Sequence, residues 1–197
     1  MTALITKAKS TDKVAATIHI DRDLQSRAGA GGVFHFQCFD KDGNLKWEEK
    51  THNLVVNQGL QNMNTQFFKG VSYSAAWYIG LVNNSPTPSF SANDTLDSHG
   101  GWDEVVPTVG YSGNRKAATF GTATTADPSV ISNSGSPAQF SMSTTVTVNG
   151  AFLCNAASGS LITDVLFSVA AFQSPGNRSV VNGDTLNVTY QFSLDAA

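Results

Sequence analysis

The chain has 197 residues, 41% hydrophobic and 10% aromatic, enough for one β domain with an extension and a real core. Only 14% of residues are charged, against about 25% in an average soluble protein, and the net charge of −3 offers no electrostatic footprint for nucleic acid. No apolar run reaches the roughly 18 residues of a membrane span, and no charged-then-apolar signal opens the sequence, so neither nucleic acid nor membrane is an expected partner.

The missing charge is replaced by Ser, Thr, Asn and Gly: from Val105 to Thr163 the charged residues are Arg115, Lys116 and Asp127 alone. Such charge-poor β sequence is associated with rigid extracellular or particle-forming proteins. Residues 1–30 hold five basic groups (Lys7, Lys9, Lys13, Arg22, Arg27) against three acidic ones, a net +2, while the remainder carries seven against twelve, a net −5. That bias fits an acidic partner or simply a solvated tail.

Residues 1–32 read as an extended N-terminal arm ending in Ala28-Gly29-Ala30-Gly31-Gly32, with one short strand over Val14–Ile20. A β-sandwich domain is expected over 33–197. Val33 to Phe39 alternates, with Phe34, Phe36 and Cys38 on one face and His35 and Gln37 on the other. Asp40-Lys41-Asp42-Gly43-Asn44 is a hairpin turn, and Leu45 to Lys50 returns. Val56, Leu60, Met63 and Phe67 form the stripe of an amphipathic helix near 57–68, with Asn57 as N-cap, Gly70 as C-cap and the stripe packed in the core.

Ala75 to Val82 is a continuous apolar run, predicting a strand buried on both faces. A long polar connection, Ser89 to Pro107, contains Trp102; exposed, Trp102 would anchor an interface, and buried it would pin the loop. Tyr111 to Gly121 reads as a strand and Thr122 to Pro137 as a loop. Phe140, Met142, Val146 and Val148 read as one half-buried strand, with Asn149-Gly150 as a hairpin turn. Leu161 to Phe172 is a long apolar strand. The last strand, within Val181 to Leu194, places Leu186, Val188, Tyr190, Phe192 and Leu194 on one face. The pattern predicts a mainly β chain: an antiparallel, jelly-roll-like β-sandwich with one helix. Cys38 and Cys154 are expected to be buried free thiols.

Catalysis is not expected. His19, His35, His52 and His99 are scattered without ligand spacing, and there is no G-x-S-x-G elbow, Walker loop or dinucleotide fingerprint. Asp103 and Glu104, adjacent on a strand, would point to opposite faces. The Asp40 loop resembles a calcium loop only until its twelfth position, which is Thr51 rather than a carboxylate. No metal or cofactor is expected.

The order DKDGNLKWE, HNLVVNQGLQNM, WYIGLV, ANDTLDSHGGWDE and GDTLNVTY resembles virion structural proteins of tailed bacteriophages, in particular the cement or decoration proteins on the outside of the head. The resemblance spans about residues 33–194. It implies a capsid-exterior protein, made in the bacterial host cytoplasm, that binds the major capsid protein and itself as a homodimer or homotrimer. On this reading Lys7, Lys9, Lys13, Arg22 and Arg27 belong to a capsid-binding arm. The alternative is a tail or head fibre protein binding a host receptor or glycan, with Trp102 and Tyr111 as stacking candidates.

Overall fold

The computed structural model describes residues 29–70, 76–173 and 176–195. Up to residue 28 the N-terminal arm, with its five basic residues, lies outside the described residues. The elements in chain order are β1 (Ala30–Phe39), β2 (Leu45–His52), β3 (Leu54–Val55), α1 (Asn57–Lys69), β4 (Tyr78–Asn83), β5 (Lys116–Ala117), β6 (Ser129–Ser132), β7 (Ala138–Ser141), β8 (Val146–Cys154), β9 (Leu166–Ala171), β10 (Arg178–Val180) and β11 (Thr185–Leu194).

Two antiparallel sheets make a β-sandwich. The first has the order β2-β1-β11-β6, with β7 also paired to β11; the second has β3-β9-β8-β4-β5, with β10 paired to β8. The most regular strand of the sequence organises the first sheet. β11 pairs with β1 over its whole length, from Ala30 opposite Leu194 to Phe39 opposite Thr185, and its other edge takes β6 and β7. Period-two alternation turns Leu186, Val188, Tyr190 and Phe192 inward, where they are buried with Phe34, Phe36 and Cys38. Across the interface Phe36 meets Phe172 edge-on at 4.6 Å, and Phe192 meets Phe167 at 5.4 Å.

β4 is buried on both faces, as its unbroken apolar run predicts. Ile79 and Leu81 join the core between the sheets, and Val82 joins a second cluster on the outer face with Phe152, Cys154, Leu166 and Val169. The long connection after β4 covers that outer face. It lays Leu96 and Trp102 onto the cluster and bonds back to β4 through Val105 N to Leu81 O and Asn83 N to Asp103 O, both 2.8 Å.

Several expectations are corrected. β1 begins at Ala30 rather than Val33, because the glycines before Val33 still pair with β11. Asn149-Gly150 is no hairpin turn but lies inside β8, where the register slips against β4 and Asn149 bulges. Gly150 is required by close approach: a Cβ there would stand 1.9 Å from the Ala170 carbonyl oxygen on β9. The strand expected over Phe140–Val148 is two strands in different sheets, β7 on β11 and β8 on β4, separated at Ser143–Thr145. Within the expected Thr122–Pro137 loop, Val130 and Ile131 form β6 against β11. Of Tyr111–Gly121 only Lys116–Ala117 is a strand, and Leu161 and Ile162, expected in β9, precede it and are exposed.

Candidate functional site

α1 begins at Asn57 with Val56 as its N-cap residue and no side-chain cap, so Asn57 does not cap it; Gly70 ends it in the left-handed conformation, as the sequence predicts. The helix approaches the second sheet through Gly59, whose absent Cβ would stand 2.3 Å from the Phe167 carbonyl oxygen. Gln58 fastens this end through its Nε2 to Asp164 O and its Oε1 to Leu166 N, both 2.8 Å.

That anchoring tilts the predicted stripe out of the core. Val56 is buried and Met63 packs on the core, but Leu60 is partly exposed and Phe67 is 82% exposed. Instead, Asn62, Met63, Gln66 and Phe67 form one wall of an apolar groove of about 480 Å³ at the end of the sandwich. The opposite walls come from both sheets and the strand-free segment beside β6: Trp77, Phe120, Ile131, Phe167, Phe192 and Leu194. The volume is in the range of ligand and peptide pockets. Phe68, 77% exposed, meets Phe67 edge-on at 5.0 Å on the rim. Within the groove the side-chain oxygen of Gln66 is buried with no hydrogen-bond partner among the described residues. Such an acceptor is costly to leave unpaired and is suited to an incoming N–H or O–H.

Elsewhere among the described residues, Arg115 and Asp184 each centre a buried polar cluster that ties loops down. Arg115 grips Glu104 in a two-pronged pair, Nε to Oε1 at 2.8 Å and NH2 to Oε2 at 2.7 Å. Its remaining nitrogen donates to the carbonyls of Ala156 and Gly159 at 3.0 and 2.8 Å, so one guanidinium ties the connection after β4 to the connection after β8. Asp184 accepts from Lys46 Nζ at 2.5 Å and from Val181 N at 2.9 Å, closing the turn that starts β11. The Asp184 bond raises the Lys46 ammonium pKa above its ordinary value. Both cysteines are buried and free, and burial pushes the Cys38 thiol up to about 12 and the Cys154 thiol up to about 11. A thiol so far from ionising is a poor nucleophile.

The stacking candidates are corrected. Trp102 is 1% exposed, and Tyr111 is wholly buried. The Trp102 ring lies between His99, stacked at 3.8 Å, and Phe152 at 5.2 Å, and its Nε1 donates to Asp94 Oδ2 at 3.0 Å. Tyr111 packs edge-on to Phe140 at 4.8 Å. Neither presents a ring face to a sugar; Trp102 pins the loop, the second of its two sequence readings. The arm residues Lys7, Lys9, Lys13, Arg22 and Arg27 lie outside the described residues. Sequence reasoning weighs a ligand groove along the helix stripe and places the stripe in the core instead, although Phe67-Phe68 at the end of a short helix is the available signal for a groove.

No family model matches the chain, and no curated protein or solved structure is similar to it. Among the described residues no helix is long and apolar enough to cross a membrane.

Proposed function

We propose that the protein is a bacteriophage head decoration protein, which binds the assembled capsid from outside and stabilises the shell through repeated protein–protein contacts. The observation that carries this reading is the apolar groove with Phe67 and Phe68 standing exposed on its rim, at the end of the sandwich where the basic N-terminal segment joins β1. Exposed aromatic residues beside a concave apolar surface are the usual anchors of protein association. The sequence resemblance to cement proteins supplies the partner class: the major capsid protein and further copies of this chain.

The mechanism is binding. Each contact buries apolar area worth about 25 cal/mol per Å² before the cost of association. Symmetry then multiplies a modest contact into a firm one. The fibre alternative is weaker, because its two stacking residues have no exposed ring face.

Purified protein is added to capsids lacking it, and co-sedimentation and the temperature of DNA release are measured. Saturable binding to assembled heads, with a raised release temperature, is expected. Absence of both would remove the proposal, and binding to host cells instead would restore the fibre reading.

A further inference from the structure

The groove has an occupant close at hand in sequence. β1 starts at Ala30, paired to Leu194, and Leu194 lines the groove. Gly29 lies beside it, accepting a backbone hydrogen bond from Asp195 N at 2.9 Å. The 28 residues before Gly29 therefore enter the fold at the mouth of the groove. Within them, Val14-Ala15-Ala16-Thr17-Ile18-His19-Ile20 sets Val14, Ala16, Ile18 and Ile20 on one side and Ala15, Thr17 and His19 on the other.

We infer that Val14–Ile20 of the same chain occupies the groove as an extended segment, its aliphatic side against Met63, Trp77, Phe167 and Phe192. This goes beyond the shell-binding reading and stands without it: a filled groove leaves the exposed rim rings, Phe67 and Phe68, as the surface available to a shell. Three observations bear on the choice of occupant. The eight residues 21–28 span at most about 28 Å when extended, enough for the chain to turn at the rim and run back. The walls are apolar, matching a segment with no charged side chain. Gln66 Oε1, buried in the groove without a partner among the described residues, takes the backbone N–H that an extended segment presents. A tether this short holds the segment at an effective concentration of about millimolar, which favours the chain's own copy over a neighbour's.

The test uses the full chain. A photoreactive benzophenone amino acid replaces exposed Phe67, and an equal mixture of light and ¹⁵N-labelled protein is irradiated and mapped by mass spectrometry. Crosslinks into residues 14–20, within one label only, are expected. Mixed-label crosslinks would mean a second copy fills the groove, and crosslinks elsewhere would mean that another segment does; either overturns the inference. As an independent measurement, the Ile18→Asp/Ile20→Asp variant should show a several-fold rise in binding of an environment-sensitive apolar dye, with greater quenching of Trp77 by acrylamide. Equal dye binding by the variant and the parent would mean that the groove stands open, and would also overturn it. Both substitutions lie outside the described residues, and capsid binding is scored separately, so this result and the shell-binding result fail independently.

Discussion

The second sheet has one face closed by its own chain and one end left open, and the contrast is instructive. Over the outer face, the connection after β4 brings Trp102 to 1% exposure and partners its indole N–H with Asp94. At the groove, the same kinds of residue stand unfinished: Phe67 is 82% exposed, and Gln66 Oε1 is buried without a partner among the described residues. A chain that can cover one apolar surface so completely has the means to cover the other. An uncovered groove would cost solubility and leave an acceptor unpaired, which is the mark of a surface that some further segment or molecule covers.

The contrast can be broken most forcefully on the closed face. Trp102→Ala should lose about 4 kcal/mol in urea unfolding, since a large ring leaves a cavity under a pinned loop. A loss below roughly 1 kcal/mol would mean that the connection is not fastened by that ring. Arg115→Met should cost about 3 kcal/mol by stranding Glu104, at the low end for a broken buried pair because the Glu104 side chain keeps 18% exposure. The double variant with Glu104→Leu should recover much of that loss, and a double-mutant cycle measures the coupling. Asp94→Ala should cost about 2 kcal/mol, because the Trp102 and Ser91 N–H groups both lose their acceptor.

Alkali probes the closed parts differently. The thiols of Cys38 and Cys154 have folded pKa values of about 12 and about 11, above their ordinary 9.0. The folded state therefore holds protons that the unfolded state has released. Their contribution is fully present below pH 9.0 and is lost as pH rises through about 11 and then about 12. Unfolding titrations across that window should show stability falling with pH, less steeply in Cys154→Ala. The smallest effect belongs to the open end: Phe67→Ser and Phe68→Ser should each change stability by no more than about 0.5 kcal/mol in thermal unfolding. A larger loss would mean that these rings already support the fold.

Legibility followed the same division. Strands whose alternation reports a single dry face could be read directly: β1 from Phe34, Phe36 and Cys38, and β11 from Leu186 to Phe192. β4, free of strongly polar side chains from Tyr78 to Val82, was legible because both of its faces are covered. Misread positions were those where a local signal met a tertiary demand. Asn149-Gly150 has turn chemistry, yet Gly150 is there because the Ala170 backbone crosses too closely for any side chain. The alternation from Phe140 to Val148, interrupted only at Thr144, keeps its phase across a change of sheet, which periodicity cannot register. For the site, the helix stripe showed that one face was apolar but not what lay opposite. Gly59, not the stripe, set the helix against β9, and that left Phe67 on a rim.

The pairing of β11 with β1 also governs how the protein is made. β1 leaves the ribosome before its partner along all ten positions, Ala30 to Phe39, which follows every other described strand in the chain. β6 and β7 wait for the same strand. Sheets built from such distant partners close slowly. A chain interrupted before Thr185 would leave β6 and β7 with no strand to join and one edge of β1 unpaired, so its exposed edges would mark unfinished product for chaperones or proteases.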